Sequence, residues 1–485
     1  MAEIRVLNDD IIRVYEVGKP RTTENLIATL FWGDSIGVVG TEGGQHTVEI
    51  SRREWNTATN HYETKVRTGI LPKKTRFREA PLLKVRFVDV GQGDAAMVET
   101  PAGRVILIDG GEEAYLRRYV NVAFSHVLAT NQLHCDAIVV THGDADHFAG
   151  LTLLAEGFRT HDSPLITASR VFHNGLVKRS ATRDTEAFGK TITRNGVTYA
   201  VELADNLLDV PDAQMNQPFR AWKKALERLR KESGDLTIRR LQYGDDGVFD
   251  FLAPDDITVK VLGPIVDDLD GKPGLRFFQG PGGGLSASHT INGHSIVLKL
   301  SYGNVRFLFG ADLNEQSEER LLQRAGQDNL SLTAEVLKVP HHGSADFSPR
   351  MLEAVRAVVS VVSSGDESID KEYIHPRSGL MGALGKYSRA TVEKPLVYAT
   401  EMVAFFERLG LIHATQVTPS GGTGKDLGTL QNVYQKKAFG IVHARTDGER
   451  VLVATHSGRD DQKESYAFRV DERGDITFEP ETRII

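Results

Sequence analysis

The sequence of 485 residues has a single cysteine, Cys135. One cysteine excludes an intramolecular disulfide, so the fold gains nothing from oxidation and a reducing compartment is expected. No apolar run is long enough to span a bilayer, and the first residues lack the charged-then-apolar pattern of a secretory signal. We therefore expect a cytoplasmic protein without a membrane segment.

The chain also lacks an excess of positive charge. Its 58 Lys and Arg residues stand against 65 Asp and Glu residues, a formal net charge of −7, which argues against binding nucleic acid through overall charge. Hydrophobic residues make up 40 % and charged residues 25 %, which excludes disordered, collagen-like and coiled-coil classes. At roughly 150 residues per domain, the length predicts about two to four domains.

Positive charge is nevertheless concentrated in two places. Between positions 52 and 84, nine Lys or Arg residues stand against three Glu residues. A helix predicted over 219–231 has apolar residues on one face and basic residues on the other. The first stretch is typical of a solvated linker, with phosphate contact as the alternative. If nucleic acid binds, we expect contacts from Lys73, Lys74, Arg76, Arg78, Arg220, Lys223, Lys224 and Arg228.

Hydrophobic patterning divides the chain into three parts. Short β-prone runs with glycine turns predict a small β-rich N-terminal domain, followed by the basic linker, over 1–80. Apolar strand runs separated by glycine loops predict a layered α/β domain over 81–412, with a helical insertion near 157–255. Residues 413–485 are expected to form a loop and a β-rich C-terminal extension. We expect protein partners, where there are any, at the β-rich ends.

The strongest chemical signal is the segment Thr-His-Gly-Asp-Ala-Asp-His at 141–147, directly after a strand predicted over 137–140. On a loop that leaves a strand, positions 142 and 144 point one way and positions 146 and 147 another, so one segment can supply two adjacent metal ions. Imidazole with carboxylate suits zinc, manganese or iron, and the carboxylates favour manganese. The alternative is a polar loop that caps a helix with Asp144 or Asp146, but a cap needs no histidines.

Further candidate ligands stand near the ends of other predicted strands. His289 and His294 precede a strand over 295–300, and Asp312 follows one over 305–309. His341 and His342 follow a strand over 336–340, and His375 lies beyond one over 358–362. A single histidine of this kind is more often structural. Because carboxylate and imidazole groups recur at strand ends, we interpret them as one site.

Five segments together resemble the metallo-β-lactamase superfamily. They are Val-Asp-Val-Gly-Gln-Gly-Asp at 88–94, Leu-Ile-Asp-Gly-Gly at 107–111, the 141–147 cluster, Phe-Gly-Ala-Asp at 309–312 and Lys-Val-Pro-His-His-Gly-Ser at 338–344. Their order resembles that superfamily over roughly 83–390, and more narrowly the soluble hydrolase domain of ComEC-type DNA-internalisation competence proteins. The resemblance implies an α/β fold, an αββα sandwich with two divalent metal ions, zinc or manganese, at the ends of its central strands.

The resemblance also implies a role for each candidate residue. Seven would bind metal: His142, Asp144, Asp146, His147, His294, Asp312 and His342. The first two would hold one ion and the next two the other, with Asp312 as the bridge. Three would stand beside these ligands and orient them: Asp94, Asp109 and His341. Three would be catalytic, the last of them near the leaving group: Asp146, Asp312 and His375.

Two departures from the resemblance bear on function. Asp144 stands where the superfamily usually has histidine, which argues against a zinc lactamase. The competence proteins carry a membrane channel that this chain lacks, which argues against DNA import by this protein alone. We expect a metal-dependent hydrolase, foremost a nuclease or phosphodiesterase acting on DNA or RNA through a water activated by two metals. The alternatives are a small-molecule hydrolase, for a cyclic nucleotide or an ester, and an interaction module in a larger assembly.

Overall fold

The computed structural model describes residues 2–59, 61–91, 93–156, 164–365, 375–389, 395–413, 430–438, 440–456, 464–480 and 482–484. Two large sheets lie at its centre. The first has ten strands, in the spatial order Thr237–Arg240, Arg170–His173, Ala137–Val139, Val105–Ile108, Ala96–Glu99, Leu83–Phe87, Ile441–Thr446, Arg450–His456, Ser465–Val470 and Ile476–Phe478. The second has six, in the order Ile257–Val261, Leu298–Tyr302, Val305–Phe309, Val336–Lys338, Val359–Val362 and Leu396–Ala399.

The main core lies between these two sheets. Ile106 and Val139 of the first sheet belong to the same buried cluster as Leu300 and Phe307 of the second. Neighbouring residues such as Leu107 point to the opposite face of the first sheet and pack against helices. Because both faces of each sheet are covered, the central strands are apolar runs with little polar alternation.

Helices cover the outer face of each sheet. Three pack on the first sheet: Tyr115–Ala123, Ala145–Glu156 and Gln217–Ser233. Three pack on the second: Glu315–Gln327, Pro349–Val355 and Ser378–Tyr387. The short helix Ala287–Gly293 lies near the edge where the candidate ligands gather. Helix, sheet, sheet and helix form the αββα sandwich, which confirms the expected fold class.

The predicted helix over 219–231 is confirmed as Gln217–Ser233. Asn216 caps it by accepting a hydrogen bond from the Phe219 amide at 3.0 Å, and Gly234 ends it with a φ of 79°. Phe219 and Trp222 lie on its buried face, as their spacing predicts. The amide of this capping residue also donates to the carbonyl of Lys178, which fixes the chain there to the start of the helix.

The N-terminal part forms its own seven-stranded sheet, ordered Leu26–Phe31, Ile11–Glu16, His61–Ile70, Gln45–Asn56, Ser35–Glu42, Glu3–Leu7 and Phe77–Arg78. Much of the basic stretch expected to be a linker lies in the paired strands of this sheet instead. Lys65 and Arg67 alternate with Val66 and Thr68, the period of a strand, and both cations contact Glu54 across the pair at 3.0 and 2.9 Å. A count of the basic residues between 52 and 84 does not show this alternation, which is why a linker was expected.

The stretch near 157–255, expected to be a helical insertion, is mixed. Its strands Arg170–His173 and Thr237–Arg240 run parallel in the first sheet, and the helix Gln217–Ser233 connects them. Runs of four residues are too short to show a period in the sequence. Beyond it, Ile441–Thr446 pairs with Leu83–Phe87, so strands of the C-terminal part extend the first sheet. The division at 80 and 412 remains our proposal; the second boundary falls in the strand Glu401–His413.

The remaining elements are short or peripheral. The other strands are Leu133–Cys135, Ile166–Ala168, Thr191–Arg194, Val197–Ala200, Asp267–Asp268, Pro273–Arg276, Phe278–Gln279, Leu285–Ser286 and Leu430–Ala438. The 3-10 helices are Thr23–Asn25, Asp184–Glu186, Leu207–Asp209, Asp212–Gln214, Asp246–Asp255 and His341–Gly343. Within the described ranges, no helix combines the length and apolarity needed to cross a membrane.

Candidate metal centre

Strand ends from both sheets meet at one edge of the sandwich. Asp109 follows the strand Val105–Ile108, and the 141–147 segment follows Ala137–Val139. From the second sheet, Asp312 follows Val305–Phe309, and His342 follows Val336–Lys338. Ligand-forming atoms of these segments come within 4.8 Å of one another in four overlapping groups. The sequence pattern of ligands at strand ends therefore corresponds to one place in the fold.

Three imidazole rings converge on the carboxylate of Asp312. The Nε2 atoms of His342 and His147 lie 3.1 and 3.3 Å from its Oδ2, and that of His142 lies 4.0 Å away. All four side chains are buried. None of these Nε2 atoms, nor Oδ1 of Asp312, has an assigned hydrogen-bond partner among the described residues. Buried polar atoms without partners are costly, and a bound cation satisfies them.

The other nitrogen of each ring is held from behind. Nδ1 of His147 lies 2.9 Å from Oδ2 of Asp109, and Nδ1 of His342 lies 3.1 Å from the carbonyl of Ser363. Nδ1 of His142 lies 3.2 Å from Oγ1 of Thr141. Fixing Nδ1 leaves Nε2 as the atom that faces the cluster, the usual arrangement of metal-binding histidines.

Two of these four groups each contain two members of the 141–147 segment, and they share His147. His142, His147 and Asp312 form one, and Asp146, His147 and His342 form the other. Oδ2 of Asp146 lies 3.7 Å from Nε2 of His342. This mixed imidazole and carboxylate set fits divalent metal ions.

The backbone at this edge is strained. Asp109, Ala311, His341 and His342 have φ angles of 59°, 47°, 49° and 50°, in the left-handed region that side chains disfavour. Strain of this kind persists where surrounding contacts enforce it, and it occurs most often at functional sites. The glycine loop also comes very close to the ligand segment at this edge. A Cβ atom at Gly93 would lie 1.9 Å from the carbonyl oxygen of Asp146. Only glycine permits the loop to contact the ligand segment there.

Two buried carboxylates, Asp94 and Asp109, contact the candidate ligands and the segment that carries them. Asp109 accepts hydrogen bonds from the amide and hydroxyl of Thr141 at 2.8 and 2.6 Å, in addition to its contact with His147. Asp94 lies between the ammonium of Lys338, which it contacts, and Nδ1 of His342, at 3.2 Å. The same lysine donates to the carbonyl of Ala311 at 3.1 Å.

Charge and burial oppose each other in the cluster. Burial and the neighbouring His147 lower the pKa of His142 to about 3. For His342, burial would lower the pKa, but the carboxylates of Asp312 and Asp94 outweigh it and raise the pKa to about 10. Burial would raise the pKa of Asp312, but the positive charges of His342 and His147 outweigh it and hold that pKa well below its ordinary value. Metal ions that bind here must therefore displace protons from imidazole rings.

Three candidates stand apart from the compact groups. Asp144 lies 4.0 Å from His142 and its carboxylate pairs with Lys178 at 2.7 Å. His341 and His375 stand beside the cluster with ring centroids 6.2 Å apart. Burial, followed by the positive charge of His342, lowers the pKa of His375 to about 4.

The structure does not bring His294, the expected middle ligand, to the cluster. Its Nε2 atom lies 2.8 Å from the carbonyl of Arg276, and its ring packs against Phe278 at a centroid distance of 4.9 Å. It follows the end of the short helix Ala287–Gly293, which turns the side chain away from Asp312. The neighbouring Ser295 reaches the ligands instead, with Oγ 3.4 Å from Nδ1 of His142.

The predicted nucleic-acid contacts are divided between two locations. Arg78 lies 3.7 Å from Asp447, beyond the end of the first-sheet strands that is opposite to the metal cluster. The strand Leu83–Phe87 separates those ends by about 17 Å, so Lys73, Lys74, Arg76 and Arg78 lie outside the site. The helical residues lie nearer, because Phe219 packs against Gly143 of the ligand loop. Three of these four cations already donate to backbone carbonyls: Arg220, Lys223 and Arg228.

Two residues at the site had no signal in the sequence. Lys178 stands in an irregular segment without periodicity, and only the fold brings it to Asp144. Asn292 lies between the two histidines at 289 and 294, but Asp144, which it contacts, is distant in sequence. Its amide fits its neighbours when the nitrogen donates to Asp144 at 3.1 Å and to the Ser288 carbonyl at 3.2 Å.

Comparison with known proteins agrees with this arrangement. The sequence profile of the metallo-beta-lactamase superfamily matches residues 88–358. No curated protein matches the chain.

A solved structure of AidC, a dizinc quorum-quenching lactonase, is 11 % identical with a TM-score of 0.23, over 61 % of this chain and 88 % of that one. A mutant of the beta-hydroxylase CmlA is 13 % identical with a TM-score of 0.25, over 59 % and 46 %. These two scores support no statement about activity. Because the profile spans more than half of the residues, the chain belongs to the metallo-beta-lactamase superfamily.

Proposed function

We propose that this superfamily hydrolase cleaves phosphodiesters at the cluster around Asp312. The observation that carries the proposal is that buried atoms of three histidines and one aspartate, the Nε2 atoms of His142, His147 and His342 and Oδ1 of Asp312, have no hydrogen-bond partner among the described residues. All four residues belong to overlapping groups of possible metal ligands. Zinc or manganese ions held by these residues would lower the pKa of a bound water and would stabilise both the attacking and the leaving oxygen of an in-line displacement. Phosphodiester hydrolysis uses each of these contributions.

The residues of the chain supply position and exclusion of bulk water. Asp109 and Ser363 hold the Nδ1 atoms of His147 and His342, so their Nε2 atoms stay directed at the cluster. The carboxylate of Asp312, on which three imidazole rings converge, would help to hold the ions that activate the water. His375, with a pKa of about 4, is neutral at pH 7 and serves as a hydrogen-bonding group near the leaving oxygen.

DNA or RNA is the substrate that we propose first. The motif resemblance to the DNA-internalisation branch supports it, as does the basic helix Gln217–Ser233, whose first turn packs on the ligand loop. A polynucleotide that passes the metal centre would meet Lys224 and its neighbours on this helix. Protein partners at the β-rich ends, within a larger assembly, are compatible with the same activity.

A small phosphodiester, such as a cyclic nucleotide, or an ester is the second candidate. The observation in its favour is the position of the basic residues at 73–78, beyond the opposite end of the sheet. Because these residues lie away from the metal centre, fewer cations are available there to bind the phosphates of a long polynucleotide. The small substrate needs only the metal centre and the side chains at its mouth.

A panel of substrates separates these candidates. Purified protein is incubated with plasmid DNA, single-stranded DNA, RNA, cyclic nucleotides, a chromogenic phosphodiester and a carboxylic ester, each with manganese, zinc and magnesium. We expect hydrolysis of a phosphodiester that is lost in the Asp312→Ala variant and kept in Asp268→Asn, which changes an exposed carboxylate away from the site. Cleavage of the carboxylic ester alone would contradict the proposal.

A further inference from the structure

Lys178 lies at the edge of the candidate metal centre and binds the residue at which this chain departs from the superfamily pattern. Its Nζ atom lies 2.7 Å from Oδ1 of Asp144, and the two side chains are 30 % and 21 % exposed. The other oxygen, Oδ2, lies 3.1 Å from the side-chain amide of Asn292, whose nitrogen donates to it in the amide orientation that satisfies both of its ends. Both carboxylate oxygens of Asp144 are therefore engaged by donors from other parts of the fold.

This engagement holds Asp144 out of the compact ligand groups. Its Oδ2 comes within 4.0 Å of Nε2 of His142, but the group that includes His142 is completed by His147 and Asp312 instead. Lys178 pairs with Oδ1, whereas Oδ2 is the oxygen on the side of His142. The ammonium and a metal ion nevertheless compete for Asp144, because each is attracted by the same negative charge. Asp144 therefore binds a metal ion more weakly while Lys178 is paired with it.

The main chain at Lys178 is fixed, whereas its side chain is partly exposed. Its carbonyl accepts from the Asn216 amide at 2.8 Å, which ties the backbone to the cap of the basic helix. The next residue, Arg179, is occupied by Glu202 and by Gln214 at 3.2 Å. The four-carbon stem of a lysine allows the charged end to change partner without a change in the main chain.

We infer that Lys178 competes with metal for Asp144 and that, once displaced, its ammonium binds the anionic group of the substrate. The inference rests on the proposed function, since it assigns a negatively charged substrate to the same centre. Metal binding and substrate binding are then linked through one side chain. A metal ion at Asp144 displaces the Lys178 ammonium, and the displaced ammonium faces the phosphate of the substrate. A lysine binds phosphate as a point charge, which suits this exchange.

The test uses Lys178→Met, the charge-conserving Lys178→Arg, and a matched control, Lys260→Met. Lys260 makes a comparable ion pair with Asp246, at 3.1 Å, away from the site. Metal-stripped protein is titrated calorimetrically with manganese, and metal-loaded protein is then titrated with inorganic phosphate. Neither measurement requires turnover.

We expect Lys178→Met to bind manganese about fivefold more tightly, the gain from removing one partly exposed ion pair. The same variant should bind phosphate about tenfold more weakly, because a charged hydrogen bond is lost. Lys178→Arg should keep most of the phosphate affinity, and Lys260→Met should match the wild type in both titrations. Unchanged or weaker manganese binding, or unchanged phosphate binding, in Lys178→Met would overturn the inference. Failure of the wild type to hydrolyse any phosphodiester would instead refute the proposed function, independently of these titrations.

Discussion

Nδ1 of His147 lies 2.9 Å from Oδ2 of Asp109, which stands 38 residues earlier in the chain. The contact joins the end of the strand Val105–Ile108 to the first turn of the helix Ala145–Glu156, and it aims Nε2 of the histidine at Asp312. The same carboxylate holds Thr141, so it positions the beginning and the end of the ligand segment.

Replacing Asp109 by Asn should therefore weaken metal binding while leaving every direct ligand in place. Groups that orient ligands typically contribute about 10- to 100-fold in metal affinity, and we expect a loss in that range by calorimetric titration with manganese or zinc. Circular dichroism checks that the variant folds. Wild-type affinity in a folded Asp109→Asn protein would show that the carboxylate is dispensable.

The metal-free protein should lose stability as the pH rises. The pKa of His342 is raised from 6.5 to about 10 by Asp312 and Asp94, against the effect of burial. A folded pKa above the unfolded one stabilises the fold below about pH 6.5, and this contribution is lost as the pH rises through the folded value. We expect the Tm of metal-stripped protein to fall between about pH 6.5 and 10, and His342→Gln to reduce this slope. A Tm that rises over the range would contradict the ion pair.

His294 and His142 should behave differently when each is replaced by Ala. His142→Ala removes a ring from the cluster and should lower the bound metal. His294→Ala removes the hydrogen bond to Arg276 and should keep the metal content, at a cost of about 1–3 kcal/mol in the free energy of unfolding. Elemental analysis with chemical denaturation measures both. Loss of metal from the His294 variant would restore it as a ligand.

Polynucleotide binding should depend on the helical cations more than on those at 73–78. Charge reversal of Arg220, Lys223, Lys224 and Arg228 should raise KM for long DNA or RNA and flatten its salt dependence, because phosphate contacts release counterions. Reversal of Lys73, Lys74, Arg76 and Arg78 should have the smaller effect. Hydrolysis of a chromogenic phosphodiester reports on the intact metal centre in both variants. If neither cluster changes binding and affinity is constant between about 50 and 200 mM salt, the substrate is small.

The sequence predicted the parts of this molecule that repeat a local rule. The αββα layers follow from motifs, and the helix predicted over 219–231 follows from a period. The paired strands at 45–70 were partly missed, because the basic residues from position 52 onward were counted as a charged linker and their strand-like alternation was not examined. The pairing of 441–446 with 83–87, and the contact of Lys178 with Asp144, join segments far apart in the chain. No local pattern encodes them, and the position of His294 depends on how one short helix ends.

Metal stoichiometry of the freshly purified wild type tests the two-metal centre most directly. The ligand groups around Asp312, His147 and His342 are too many for one tetrahedral site, so elemental analysis should find about two divalent ions per chain. The result that would contradict this centre is well under one ion per chain, with no gain after manganese or zinc is added.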